Sequence, residues 1–143
     1  MRYLLDTNII SNLVKPAPSP SLVAWMAARE DRELYISAFT IAEIRRGVLE
    51  KPAGKRRDEL ESWFSGGHGP QALFAGRILP FDEAAALIWG RLMAAGQTKG
   101  KPRSALDMMI AAIAEAHDCT LVTDNEKDFA GVQILNPVRA KPQ

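Results

Sequence analysis

The order of apolar runs constrains this chain more than any other feature. Tyr3 to Leu5, Tyr35-Ile36, Ile78-Leu79, Leu121-Val122 and Val132 to Leu135 form short runs, each bounded by turn or cap residues and mostly separated by a helix-length segment. A helix between two strands favours a parallel pairing, because parallel neighbours need a crossover of a dozen or more residues. Continuous apolar strands also need cover on both faces. The order therefore predicts a three-layer α/β/α fold with a central parallel sheet.

The helix ends are legible. Pro16, Pro18 and Pro20 are expected to break the chain after a short first helix, and a second should run from Ser21 to Glu30 with Leu22, Trp25 and Met26 on one stripe. Asp82 is the expected N-cap of a helix whose Ala84, Leu87, Ile88, Leu92 and Ala95 share a face, with Gly96 placed to end it. "SGGHGP" at 65–70 reads as a loop that leaves His68 exposed. At 143 residues, 47% hydrophobic and 24% charged, residues 1–143 fit one domain with its own core.

Several function classes drop out. The longest apolar run, around Met108 to Ala114, is far shorter than the roughly 20 residues that span a bilayer. The first residues enter strand-like sequence without a signal-peptide pattern, so a cytoplasmic location away from any membrane is expected. Cys119 is the single cysteine, which excludes an intrachain disulfide, and with only His68 and His117 beside it there is no zinc-ligand spacing. The net charge of +1 says little, but cations cluster at Arg45-Arg46, at 51–57 and at 99–103. Such clusters can follow phosphates, although a charge run is more often a solvated helix end or loop.

The carboxylates carry the chemistry. In an open parallel sheet, ligands bind beyond the carboxyl ends of the strands, and Asp6 and Asp124 both fall there. Asp107, in "SALDMMIAAIAEAHD", takes the third helical position after Ser104, as a capping-box acid would. It also shares a stripe with Ile110, Ala111 and Ala114, which turns it toward the sheet. From Asp107 the helix descends about 15 Å at roughly 1.5 Å per residue. From Thr120 the strand climbs back about 13 Å at roughly 3.3 Å per residue. Asp107 should thus return to the level of Asp124. Glu43 matches a capping box through Thr40, but Ser37 can start that helix earlier and leave Glu43 in its second turn. Acids converging on one edge repel each other unless cations lie among them. An oxygen-only set points to a hard cation, Mg²⁺ or Mn²⁺, which activates water and clamps the oxygens of an in-line phosphoryl displacement without a histidine base.

Nearly the whole chain resembles the PIN-domain ribonucleases, and within them the VapC-like and FitB-like toxins. The resemblance runs through "LLDTNIIS", "ISAFTIAEIRRG", "FAGRILPFDEAAA", the "GKP" turn with "LDMMIAAIA", "LVTDNEKDF" and "ILNP". It implies a five-stranded parallel sheet in the order 3-2-1-4-5 and Mg²⁺-dependent cleavage of RNA, with Mn²⁺ able to substitute. It also implies inhibition by a cognate antitoxin, DNA contact only indirectly through that antitoxin, and a homodimer. Asp6, Glu43 and Asp107 match the family's three firm acids, expected to hold the metal and orient water. The fourth position stays open between Asp124, Asn125 as a neutral ligand, and Asp128 from the next turn. Asn8 is expected to steady the cup, and Lys99, Lys101 and Arg103 to contact RNA phosphates. Two alternatives stand beside this reading: a phosphatase or phospho-acceptor domain, which also places Asp after a first parallel strand, and a catalytically inactive nucleic-acid-binding or regulatory module.

Overall fold

The computed structural model describes residues 1–139. Five strands, β1 (Arg2–Leu5), β2 (Leu34–Ser37), β3 (Ile78–Leu79), β4 (Cys119–Val122) and β5 (Ile134–Leu135), form one all-parallel sheet in the order β3-β2-β1-β4-β5. The expected fold and strand order are both present. Between β1 and β2 lie α1 (Thr7–Leu13) and α2 (Pro20–Ala27). Between β2 and β3 lie α3 (Ala38–Glu50), α4 (Lys55–Ser65) and α5 (Pro70–Leu73), and between β3 and β4 lie α6 (Glu83–Thr98) and α7 (Ala105–Ala116).

Strand alternation divides the core into two layers. Tyr3, Leu5, Leu34, Ile36 and Val122 point to one face and pack with Ile9, Leu22, Ile44 and Phe64 from α1 to α4. Leu4, Tyr35 and Leu121 point to the other and meet Ala85, Leu92, Met108, Ile110 and Ile113 of α6 and α7. Both faces are covered, which explains why the strands read as continuous apolar runs.

Four local expectations need correction. Pro20 does not break the chain but opens α2 in its first turn, where its missing N–H has no helical partner to lose, and Ser19 caps by accepting from Leu22 N. That helix stops at Ala27 instead of reaching Glu30. Gly96 does not end α6, which continues to Thr98; the chain turns at Gly100, whose φ is +67°. Gly96 instead lies buried where a Cβ would come within 3.0 Å of Arg103 Cγ and Lys101 O. The last strand is shorter than expected, starting at Ile134 and leaving Val132 outside it. His68 lies exposed in its loop, as the sequence suggests.

Candidate active site

The order of strands reverses direction at β1, which leaves a crevice beyond the ends of β1 and β4. Asp6 follows β1 directly and is 5% exposed, unusually low for a carboxylate. Its Oδ1 accepts from Thr7 N at 2.8 Å, and its Oδ2 accepts from Thr123 Oγ1 at 2.8 Å and from Asn8 Nδ2 at 3.3 Å. Thr123 follows β4 and is fully buried, so this bond spans the crevice. Its oxygen also accepts from Asn8 Nδ2 and Asn125 N, each at 3.0 Å. Asn8 Oδ1 accepts from Asp124 N at 3.0 Å. The amide of Asn8 therefore ties Asp6 to the loop after β4.

The second strand delivers Glu43. Ser37, not Thr40, caps α3, accepting from Thr40 N at 3.1 Å, so the Thr40 capping box does not form and Glu43 sits in the second turn. Thr7 Oγ1 donates to Glu43 Oε1 at 2.7 Å and lies 3.1 Å from buried Thr40 Oγ1. Asp107 comes from the first turn of α7, where Ser104 Oγ accepts from Asp107 N at 3.3 Å.

Electrostatics link these acids. Burial is the main force raising the Asp6 carboxyl above 3.8; the bonds from Thr123 and Thr7 oppose it, and the charges of Glu43 and Asp107 raise it further. Burial likewise raises Asp107, with Ser104 opposing and Asp128 adding to the rise. Glu43 and Asp107 thus both act on Asp6, and the charge of Asp128 acts on Asp107. Among the described residues, no group of three or more acidic, imidazole or thiol side chains stands in a geometry that could hold an ion. The donor chemistry nonetheless suits a hard divalent cation: all oxygen, mutually repelling, with one carboxylate buried and accepting hydrogen bonds from Thr7, Asn8 and Thr123.

The three candidates for the fourth position separate. Asp124 Oδ1 accepts from Asn136 Nδ2 at 3.1 Å and from Arg139 Nε at 3.2 Å, an arrangement directed at the carboxyl-terminal turn 137–139. Asn125 Nδ2 donates to Asp128 Oδ2 at 2.6 Å. Asp128 lies in the 3₁₀ turn Glu126–Phe129, and its charge reaches Asp107. Lys99 and Lys101 are exposed, whereas Arg103 is half-buried. Arg103 Nη1 donates to Leu92 O and Nη2 to Ala130 O, both at 3.2 Å, so this guanidinium braces α6 against the loop after β4 instead of facing solvent phosphates.

Sequence reasoning missed Thr7 and Thr123. A signal was present, since a threonine adjoins the acid in both "DTN" and "VTDN".

The PIN-domain family profile matches residues 3–135. The chain is 42% identical to the VapC ribonuclease Y4jK of Sinorhizobium fredii over 136 residues, 94% of this chain and 96% of that protein. It is 40% identical to toxin FitB of Neisseria gonorrhoeae over 136 residues, with the same coverage. Among solved structures, FitAB bound to an IR36 DNA fragment superposes with a TM-score of 0.88 at 38% identity and 98% coverage of both chains. FitAcB from Neisseria gonorrhoeae gives 0.87 at 39% identity, covering 96% of this chain and 99% of that one.

Proposed function

The chain belongs to the PIN-domain family, and on that premise we propose that it is a divalent-metal-dependent endoribonuclease, the toxin of a toxin and antitoxin pair. The observation that carries the reading is Asp6, a buried acid whose carboxyl is raised by burial and by the charges of Glu43 and Asp107. A cluster of this kind is a cation site in waiting.

Asp6, Glu43, Asp107 and Asp128 would hold Mg²⁺ or Mn²⁺. When bound, the cation supplies Lewis-acid activation of water and neutralises charge on the phosphoryl oxygens. The chain's own groups do the positioning. Thr123, Thr7 and Asn8 fix the Asp6 oxygens, Thr7 also fixes Glu43, and Asn125 fixes Asp128. Oxygens of these four carboxylates that do not ligate the cation would orient the attacking water and accept its proton.

An apolar groove of about 250 Å³, lined by Ile10, Val14, Ile44, Val48 and Trp63, opens beside Thr7 and Glu43. We assign it to an apolar segment of the antitoxin, which would shield Glu43 from substrate. The complexes named FitAB and FitAcB, each of which holds a chain that this one superposes on, support a partner of that kind.

The phosphatase reading is weaker. Its pattern needs a second acid two residues after the first, and here Asn8 stands there with both amide atoms already bonded to Asp6, Thr123 and Asp124 N. The test is cleavage of labelled RNA by antitoxin-free protein in Mg²⁺, in Mn²⁺ and in EDTA, beside a phosphomonoesterase assay. RNA cleavage confined to the metal-containing arms is expected; undiminished cleavage in EDTA, or phosphomonoester hydrolysis alone, overturns the reading.

A further inference from the structure

A cleft of about 290 Å³ runs between the turn after α6 and the 3₁₀ turn after β4, with Lys99, Lys101 and Lys127 in its lining. All three lysines are exposed, and among the described residues none is paired with a carboxylate. The same cleft is lined by Ser104, which caps the helix bearing Asp107, and by Asp128, whose charge reaches Asp107.

The walls are built. Lys99 and Lys101 flank Gly100, whose φ of +67° closes a turn fixed by Lys101 N donating to Gly96 O at 2.9 Å and Gly100 N to Gln97 O at 3.0 Å. Gly96 leaves room for the Arg103 stem, which a Cβ would crowd at 3.0 Å. Arg103 then ties one wall to the other through the carbonyls of Leu92 and Ala130. Gly131, at φ +82°, lets the opposite wall pass close to Arg103 Nη2. A chain of net charge +1 has no general attraction for a polyanion. Three unpaired ammonium groups around one braced cleft supply it locally.

We infer that this cleft binds a backbone phosphate of single-stranded RNA next to the bond being cut, with Lys127 as a contact alongside Lys99 and Lys101 and with Arg103 as its brace. The inference rests on the ribonuclease reading and adds to it the place where the flanking strand is gripped.

The test is RNA binding by fluorescence anisotropy across a salt series, in an Asp107→Asn background so that the oligonucleotide stays intact. Lys99→Gln, Lys101→Gln and Lys127→Gln should each weaken binding and shrink the salt slope by roughly 0.7, the value per phosphate of a single strand. Lys15→Gln and Lys55→Gln, exposed lysines elsewhere on the surface, should leave the slope unchanged. Slopes unmoved by the cleft variants, or moved as much by the two controls, overturn the cleft. Cleavage by the wild type is scored separately: its absence refutes the ribonuclease reading, whereas cleavage together with unmoved slopes refutes the cleft alone.

Discussion

Replacing Thr123 by valine keeps the shape of a fully buried side chain and removes one oxygen. That oxygen donates to Asp6 and accepts from Asn8 Nδ2 and from Asn125 N. A hydrogen bond to a charged group contributes about 1.5–3 kcal/mol, and an orphaned donor costs about 1–3 kcal/mol when buried. Asn8 Nδ2 keeps Asp6 Oδ2 as an acceptor, so the Asn125 N–H is the donor left stranded, and it is only partly buried. The sum is about 3 kcal/mol, or about 10 °C in Tm for a chain of this length. The pH dependence follows from Asp6. Its folded carboxyl is raised above 3.8, so its ionisation works against folding as pH rises from there, and the Thr123 bond reduces that penalty. Without the bond the penalty grows. Thr123→Val should therefore lose more stability at neutral pH than in acid, where Asp6 is protonated. Paired thermal melts at the two pH values check it. A variant within a degree or so of the wild type at neutral pH, or one equally destabilised at both, would refute the assignment of Thr123 as the residue whose hydrogen bond opposes the rise of the Asp6 carboxyl.

Other substitutions separate the acids. Asp107→Asn should abolish cleavage yet melt no lower than the wild type in neutral, metal-free buffer, because burial and Asp128 raise that carboxyl; the advantage should vanish as pH falls below 3.8, which melts on both sides of that value would reveal. Asp128→Asn, which would remove a charged oxygen from the set proposed to hold the cation, should weaken Mn²⁺ binding by at least the roughly tenfold that even outer supporting groups around metals command. Asp124→Asn should lose only a largely exposed pair with Arg139, about 0–1 kcal/mol, and keep its cleavage rate; calorimetric Mn²⁺ titrations and cleavage rates of the two variants decide between them.

Much of the architecture can be read from the chain because it depends on local pattern. Apolar runs such as Tyr3 to Leu5 and Leu121-Val122 alternate with helix-length segments, and burial on both faces follows from their continuity. The Asp6 position was legible for the same reason, since the end of a strand is visible in sequence. What stayed hidden depends on which atoms meet across loops. Arg103 looks like its lysine neighbours until the carbonyls of Leu92 and Ala130 are seen to hold it. Asp124, Asn125 and Asp128 are equivalent candidates in one dimension, and only the fold shows Asp124 bonded to Arg139, Asn125 bonded to Asp128 and the charge of Asp128 acting on Asp107. Gly96 has the residue type of a helix end, but its use is to admit the Arg103 stem.

The central claim is that Asp6, Glu43 and Asp107 together form a cation site, and metal-dependent melting tests it most directly. Antitoxin-free wild type and Asp107→Asn would be melted in EDTA and in Mn²⁺ at a hundredfold excess over the dissociation constant. Mass action then stabilises the wild type by about 2.7 kcal/mol, or about 9 °C for a chain of this length, and Asp107→Asn should lose most of that gain. A wild type whose Tm ignores Mn²⁺, or a rise of equal size in both proteins, would contradict the claim.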